Sequence, residues 1–207
     1  MSRADAGSSF GRRAFRGLHD RLDRSTPPER CDALFAFAGR PERARVAVEL
    51  WRAGTAPVLV LSVGRFEWRR FPELGLPSDG RLHDLVLRTP PSRRHFLVAI
   101  DAAGARAEWM PQGRLGTLAE ARAFVRLARE RGWRSVQAVT TAAHSRRGLL
   151  ALRRSSRGTG LRIGIVAVPE PLSSVPRDTW WRDPGARSLV LGEWIKLPVY
   201  GLLARGG

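Results

Sequence analysis

Short apolar runs alternate along this 207-residue chain with stretches of helical periodicity, and this alternation constrains the fold more than any other feature. The apolar runs predict strands at residues 32–39, 58–64, 106–110, 135–140 and 162–168. The helical patterns cover residues 42–53, 117–131, 145–157 and 185–204. Strands that alternate with helices form parallel sheets with right-handed crossovers. The sequence therefore predicts an α/β fold, a Rossmann-like, doubly wound, mainly parallel five-stranded sheet flanked by helices.

Residues 65–95 interrupt this pattern. Four prolines, Pro72, Pro77, Pro90 and Pro91, break the segment, and its Trp and Arg residues follow no clean period. We predict a partly helical excursion here. The pattern then favours a short helix over residues 93–100 and a turn over residues 101–104.

A Ser-Thr-Pro-Pro stretch at residues 25–28 marks the boundary of an N-terminal basic segment, residues 1–30. Residues 31–207 then form a single α/β domain, since a chain of this length does not require a second one. Within the basic segment, residues 10–24 predict a short amphipathic helix. Such a helix would lie on a membrane surface or, alternatively, pack on the domain as an N-terminal helix.

The formal net charge of +17 indicates an attraction to anions. Of the 36 basic residues only Lys196 is a lysine, and the arginines are spread along the whole chain. This distribution is typical of solvated faces in an arginine-biased composition, so nucleic acid is not the expected partner. The anionic partners that we predict are a phosphorylated small molecule and, through peripheral contact, a membrane surface.

Apolar runs in this chain fall short of the ~18 to 20 residues that span a bilayer, and residues 1–30 lack the apolar core of a signal peptide. We therefore expect a cytoplasmic or peripherally membrane-associated protein. Cys31 is the single cysteine, so no intrachain disulfide can form. The four histidines have no paired spacing, and no metal site is predicted.

The strand at residues 135–140 runs directly into side chains that carry chemistry: Thr140, Thr141, His144 and Arg147. Ligands of open parallel sheets bind beyond the carboxyl ends of the strands, where the next helix begins. His144 is a candidate general acid or base, because an imidazole titrates near neutral pH. Arg147 and Arg43 are candidate forks for a phosphate or carboxylate.

Thr117 and Glu120 have the spacing of a capping box, with Thr at the N-cap and Glu at the third helical position. This cap would explain both residues structurally, and they also remain candidates for the site. Ser62 and Thr141 are candidate hydroxyl donors to an anion. The sequence lacks the Gly-x-Ser-x-Gly pattern of a nucleophile elbow, so a Ser–His nucleophile pair is not favoured.

Four motifs in order resemble the YdcF-like family. Val139-Thr140-Thr141-Ala142-Ala143-His144-Ser145-Arg146-Arg147 is similar to the family's Val-Thr-Ser-x-x-His-x-x-Arg, with Thr in place of Ser. The helix at residues 43–54 has the family's spacing of Arg, Ala, Leu and Gly. Residues 62–64 are similar to its Ser-Gly-Gly, with Val63 in place of the middle Gly, and residues 117–120 to its Thr-x-x-Glu helix start. The resemblance spans residues 31–168.

The resemblance implies a compact Rossmann-like domain that is associated with the bacterial cell envelope. It also implies S-adenosylmethionine or a nucleotide as a ligand. It places two catalytic candidates, His144 and Glu120, beside a set of ligand-binding candidates: Gly39, Arg43, Ser62, Gly64, Thr117, Thr140, Thr141 and Arg147. Two hypotheses follow: a hydrolase or transferase acting on a phosphorylated envelope precursor, and a non-catalytic or membrane-associated regulatory module. The sequence leaves the oligomeric state undetermined.

Overall fold

The computed structural model describes residues 3–64, 67–76, 80–111 and 115–205, with the backbone alone for residues 3–10, 80–83 and 203–205. Six strands form the sheet: β1 Ala33–Ala36, β2 Val58–Val63, β3 Phe96–Asp101, β4 Gly104–Trp109, β5 Ser135–Thr140 and β6 Arg162–Ala167. Six helices accompany them: α1 Arg3–Leu22, α2 Pro41–Arg52, α3 Gly80–Arg88, α4 Gly116–Glu130, α5 Ala142–Ser155 and α6 Pro184–Arg205. Short 3₁₀ segments lie at Glu67–Leu74, Pro91–Arg93 and Glu170–Leu172.

The six strands form one mostly parallel sheet in the order β4-β3-β2-β1-β5-β6, flanked by helices. Strands β2, β1, β5 and β6 are parallel, whereas β3 pairs antiparallel with both β2 and β4. The α/β, Rossmann-like character that the sequence predicts is thus confirmed. The count of five strands is wrong, because the sheet contains one more.

The additional strand is β3, in the segment for which the sequence favoured a helix over residues 93–100. Residues 96–100 are five consecutive apolar residues that are all buried, and such a short run carries no periodicity that separates a strand from a helix. The predicted turn at residues 101–104 closes the β3–β4 hairpin, where Asp101 pairs with Gly104. Gly104 has a φ of 115°, which a side chain would disfavour.

Both faces of β1 are buried, each by different helices. Ala33 and Phe35 pack in a cluster with residues of α4 and α5, whereas Leu34 and Ala36 pack in a second cluster with residues of α2. The chain leaves β1 through α2 to β2 on one side and enters β5 from α4 on the other side. The carboxyl ends of β1 and β5 therefore flank the point where the strand order reverses, which is the usual ligand crevice of such sheets.

The N-terminal helix α1 packs against the domain. Leu22 is buried in a cluster with Trp180, Val190 and Leu197, and Leu18 packs against the same cluster. The backbone N–H of Arg24 donates to Ser145 Oγ at 2.7 Å, which joins the end of this segment to α5. The side chain of Phe10, part of the predicted amphipathic helix, lies outside the described residues.

The C-terminal helix α6 has one buried and one exposed apolar face. Val190, Leu197 and Tyr200 are buried against the domain. The exposed face carries an apolar stripe, 46–76% exposed: Leu191, Ile195, Val199 and Leu202. Among the described helices, none has the length and apolarity that a bilayer crossing requires.

The excursion at residues 65–95 is helical in part, with the 3₁₀ segment Glu67–Leu74 and α3. Residues 65–66 and 77–79, including Pro77, lie outside the described residues. The 3₁₀ segment lies beside α2, since Arg45 of α2 contacts Glu73 at 3.3 Å. The excursion thereby brings Glu67 to the carboxyl ends of β1 and β2.

Candidate functional site

A cleft of about 620 Å³ opens at the carboxyl ends of β1 and β5. It brings together six of the predicted site residues: Gly39, Arg43, Thr117, Glu120, His144 and Arg147. Thr140 and Thr141 are buried directly behind it. Ser62 lines a neighbouring cavity of about 390 Å³ that shares Gly39 and Glu67 with the cleft.

Thr117 and Glu120 do not form the predicted capping box. Helix α4 begins at Gly116 with Leu115 at the N-cap, and that position has no side-chain cap. Thr117 therefore lies inside the first turn, where its hydroxyl cannot accept from the amides that an N-cap residue serves. Instead, the hydroxyl accepts a hydrogen bond from Arg147 Nη1 and lies 3.4 Å from His144 Nε2. The prediction of a cap was wrong, and Thr117 contributes to the cleft instead.

His144 is buried at the start of α5 and held on both ring nitrogens. Nδ1 lies 2.8 Å from Thr140 Oγ1, and Nε2 faces Thr117. The ring packs edge to face on Phe37 with centroids 5.2 Å apart. Burial, followed by the positive charges of Arg43 and Arg147, lowers the pKa of His144 well below its usual value. His144 is consequently a neutral imidazole at physiological pH.

Arg43 is a buried cation whose Nε–H makes no hydrogen bond within the described residues. Its Nη1 donates to the carbonyl of Ala38 at 2.7 Å and its Nη2 to Thr141 Oγ1 at 3.1 Å. Its Nε–H is buried and has no hydrogen-bond partner in the described part of the chain. Burial lowers the pKa of Arg43 to about 10, so the side chain remains charged at neutral pH. An unmade buried hydrogen bond costs about 1–3 kcal/mol, which a ligand oxygen at this donor would recover.

Arg147 joins α5 to α6 through a buried ion pair. Its Nε and Nη2 donate to the two carboxylate oxygens of Glu193 at 2.5 and 2.7 Å, and Nη1 donates to Thr117. Its guanidinium lies over the ring of Tyr200, 5.3 Å from the centroid. Burial alone would lower the pKa of Arg147, but the bond to Glu193 raises it. All three nitrogens of the Arg147 guanidinium therefore bond to protein groups, which join α5 to α4 and α6.

Glu120 projects from α4 and is partly buried. Burial raises its pKa to about 7, and the charge of Arg43 is the largest influence in the opposite direction. Ser62 also lowers the pKa of Glu120, which places its hydroxyl near the carboxyl group. Ser62 Oγ is itself buried and makes no geometrically regular hydrogen bond within the described residues. Glu120 is thus the group in the cleft that exchanges a proton most readily near neutral pH.

The two predicted glycines at the strand ends contact Glu67. The backbone N–H of Gly39 donates to Glu67 Oε1 at 2.8 Å, and the N–H of Gly64 donates to Oε2 at 3.0 Å. A Cβ at Gly64 would lie 2.7 Å from Oε2 and 3.0 Å from His95, so a larger residue there would displace the carboxylate of Glu67. Glu67 and His95 could not be identified as site residues from the sequence, because both lie in the excursion at residues 65–95, which has no interpretable hydrophobic period.

Among the described residues, no group of three or more His, Cys, Asp or Glu side chains could hold a metal ion. The fold and the site together define a class: an α/β protein with an open, cation-rich cleft at the strand ends. Searches of family models, curated proteins and solved structures found no match to the chain. The function of this protein is therefore inferred from the geometry and charges of the cleft.

Proposed function

We propose that the cleft binds a phosphorylated small molecule and catalyses its hydrolysis or the transfer of its phosphorylated group. One observation carries the proposal: the buried, charged Arg43, whose Nε–H has no hydrogen-bond partner among the described residues, lines the same cleft as Glu120, whose pKa is about 7. An anion-binding donor and a proton acceptor that works near neutral pH are the two groups such a reaction requires.

The charges of the cleft favour an anionic ligand. The charge of Arg147 is compensated by Glu193, but Arg43 and Lys196 also line the cleft. The carboxylate of Glu67 is bound by backbone amides, and Glu120 is about half protonated at pH 7. A phosphate near Arg43 would meet a positive charge in a partly desolvated environment, where such interactions are stronger than in water.

The side chains suggest distinct roles in hydrolysis. Arg43 would bind a phosphoryl oxygen and stabilise the charge that develops on it. Glu120 in its ionised form would accept a proton from the water that attacks phosphorus, while the bond to the leaving group breaks. His144, neutral and positioned by Thr140, would act as a hydrogen-bonding group. We thus assign proton transfer to Glu120 and substrate orientation to His144.

The resemblance of residues 31–168 to the YdcF-like family supports the same site. The four motifs supply Arg43, Ser62, Thr117, Glu120, His144 and Arg147, all of which line the cleft or its neighbouring cavity. We propose membership of that family, and a phosphorylated precursor of the cell envelope as the substrate class. Nucleotides and S-adenosylmethionine are the further ligands that the resemblance suggests for testing.

Replacing Arg43 by glutamine tests the anion site. We expect the Arg43→Gln protein to bind phosphorylated ligands ~10- to 100-fold more weakly than wild type, because a charge-assisted hydrogen bond is lost. The measurement is calorimetric titration with sugar nucleotides, nucleotides, polyprenyl phosphates and S-adenosylmethionine. Arg52→Gln is the matched control, since Arg52 lies on the same helix, is exposed and lines neither the cleft nor the neighbouring cavity. Equal binding by the two variants would contradict the proposal.

The apolar stripe of α6 favours a second function, peripheral contact with an anionic membrane. Four exposed apolar side chains follow one face of this helix: Leu191, Ile195, Val199 and Leu202. Glu193 is the only acidic residue of α6, and it is buried against Arg147. An apolar stripe without acidic neighbours, on a chain of net charge +17, suits the interface of an anionic bilayer.

A double substitution tests this contact. We expect Ile195→Asn/Leu202→Asn to reduce binding to phosphatidylglycerol-containing vesicles ~10-fold or more, because two exposed apolar side chains no longer enter the bilayer interface. Co-sedimentation with vesicles is the measurement. Leu172→Asn is the control, because Leu172 is similarly exposed but lies outside α6. Vesicle binding that is equal in the double variant and the control would exclude the stripe as the contact.

A further inference from the structure

The backbone N–H groups of Gly39 and Gly64 form a matched pair at the end of two adjacent strands. Ala36 of β1 pairs with Leu61 of β2, and each glycine lies three residues beyond its strand's member of this pair. Both amides donate to one carboxylate, at 2.8 and 3.0 Å. The pair is therefore a preformed site for two oxygens of a single anionic group.

We propose that these two amides are an anion-binding subsite for the ligand, and that Glu67 is its internal occupant, displaced when the ligand binds. This proposal extends the proposed function, since it assigns a second anionic group to the same ligand. A carboxylate presents two oxygens much as a phosphate does, and backbone amides at strand ends are common phosphate partners. An arriving phosphate would make both bonds that Glu67 releases.

The surroundings of Glu67 support a ligand site over a purely structural bond. Glu67 lines both the cleft and the neighbouring cavity, so space for a ligand adjoins the carboxylate on each side. Ser62 lines that cavity and is about 95% buried, with a hydroxyl that has no hydrogen-bond partner among the described residues. Ser62 lies on β2 two residues before Gly64, so its buried hydroxyl, which is also near Glu120, adjoins the subsite.

The position of Arg43 indicates the class of ligand. A Cβ at Gly39 would lie 3.6 Å from Arg43 Nη1, so the amide subsite and the guanidinium are immediate neighbours. One anionic group at Arg43 and another at the amides would therefore be adjacent within the ligand. A diphosphate is the simplest group that meets both requirements, as found in sugar nucleotides and lipid-linked diphosphates.

Inorganic diphosphate is the probe that tests this inference. We expect the Glu67→Ala protein to bind diphosphate at least ~10-fold more tightly than Glu130→Ala, because no internal carboxylate competes for the amides. Glu130 is the control, since it carries the same charge, is exposed and lines neither the cleft nor the neighbouring cavity. Calorimetry gives the affinities. Nitrogen-15 NMR should show the amide resonances of Gly39 and Gly64 moving when diphosphate binds to Glu67→Ala.

The outcomes separate this inference from the proposed function. Equal affinities for the Glu67 and Glu130 variants, or tighter binding that leaves both glycine amides unmoved, would overturn the inference. If Glu67→Ala does not fold, Glu67→Gln replaces it, because its amide group leaves one glycine N–H without an acceptor. Adding Arg43→Gln to the Glu67 variant completes the comparison. If diphosphate still shifts both amide resonances in the double variant and binds it as tightly as Glu67→Ala, the result would support this subsite. The same result would count against the proposed role of Arg43.

Discussion

Replacing Glu120 by glutamine is expected to lower the turnover of a phosphorylated substrate at least ~100-fold and to make the folded protein more stable above pH 7. General acid–base catalysis contributes about 10²- to 10⁴-fold to a rate, and glutamine cannot accept a proton at this position. In the wild type, the rate should rise with pH through about 7, as the carboxyl group ionises. This limb of the pH profile should be absent from the residual activity of Glu120→Gln.

The effect on stability follows from the direction of the pKa shift. The folded-state pKa of Glu120 is raised to about 7 from the ordinary value of 4.5, so the folded protein favours the protonated form. The contribution of Glu120 to stability is therefore fully present below about pH 4.5 and is lost as the pH rises through about 7. Glutamine removes this loss. From pH 5 to pH 8, the free energy of unfolding of the variant should increase by roughly 2 kcal/mol relative to that of the wild type.

Urea unfolding at the two pH values measures this difference, and Glu130→Gln is the control. Glu130 lies at the end of the same helix and is exposed, with Arg126 as its partner. Its replacement should change neither the pH profile nor the pH dependence of stability. A Glu120→Gln protein with full turnover would show that another group moves the proton.

Removing one partner of the Arg147–Glu193 pair is expected to cost about 3–5 kcal/mol of stability. Both side chains are about 10% exposed, so Glu193→Gln leaves a largely desolvated guanidinium without its counter-charge. The same change should weaken ligand binding, because Arg147 also holds the hydroxyl of Thr117. Urea unfolding with the linear extrapolation gives the free energies.

The Arg177–Asp20 pair provides the matched comparison. It is also bidentate, with bonds of 2.6 and 2.7 Å, but both side chains are more than 40% exposed. Arg177→Gln should therefore cost no more than about 1 kcal/mol. A double change, Arg147→Met with Glu193→Leu, should recover much of the stability lost in Glu193→Gln, because neither charge of the pair remains. A cost in Glu193→Gln as small as that in Arg177→Gln would mean that water reaches the pair.

Local sequence signals located most of the elements because each follows from composition and period. The apolar run at residues 58–64 corresponds to Val58–Val63, and the helical pattern at residues 42–53 corresponds to Pro41–Arg52. Strand β3 was missed because burial on both faces removes the alternation that identifies a strand. The capping box was wrong because α4 begins at Gly116 with Leu115 at the N-cap, and leucine has no side-chain oxygen that would mark this position in the sequence.

The sequence identified the residues that meet at the strand ends but not their partners. Arg43 and His144 were recognisable because residues at strand exits converge in a parallel sheet. The use of Arg147 by Glu193, and of the glycine amides by Glu67, depends on contacts between segments distant in sequence. Burial and neighbouring charges likewise exist only in the folded chain, so the raised pKa of Glu120 and the lowered pKa of His144 could not be predicted.

The bidentate bond from Arg147 to Glu193 has a consequence for how the protein is made. Synthesis proceeds from the N-terminus, so the six strands and α5 leave the ribosome before α6 does. Until α6 docks, Arg147 lacks the carboxylate of Glu193 as an acceptor. The wall of the cleft formed by Leu189, Glu193 and Lys196 is also missing. The sheet can therefore form before α6 completes this wall of the cleft.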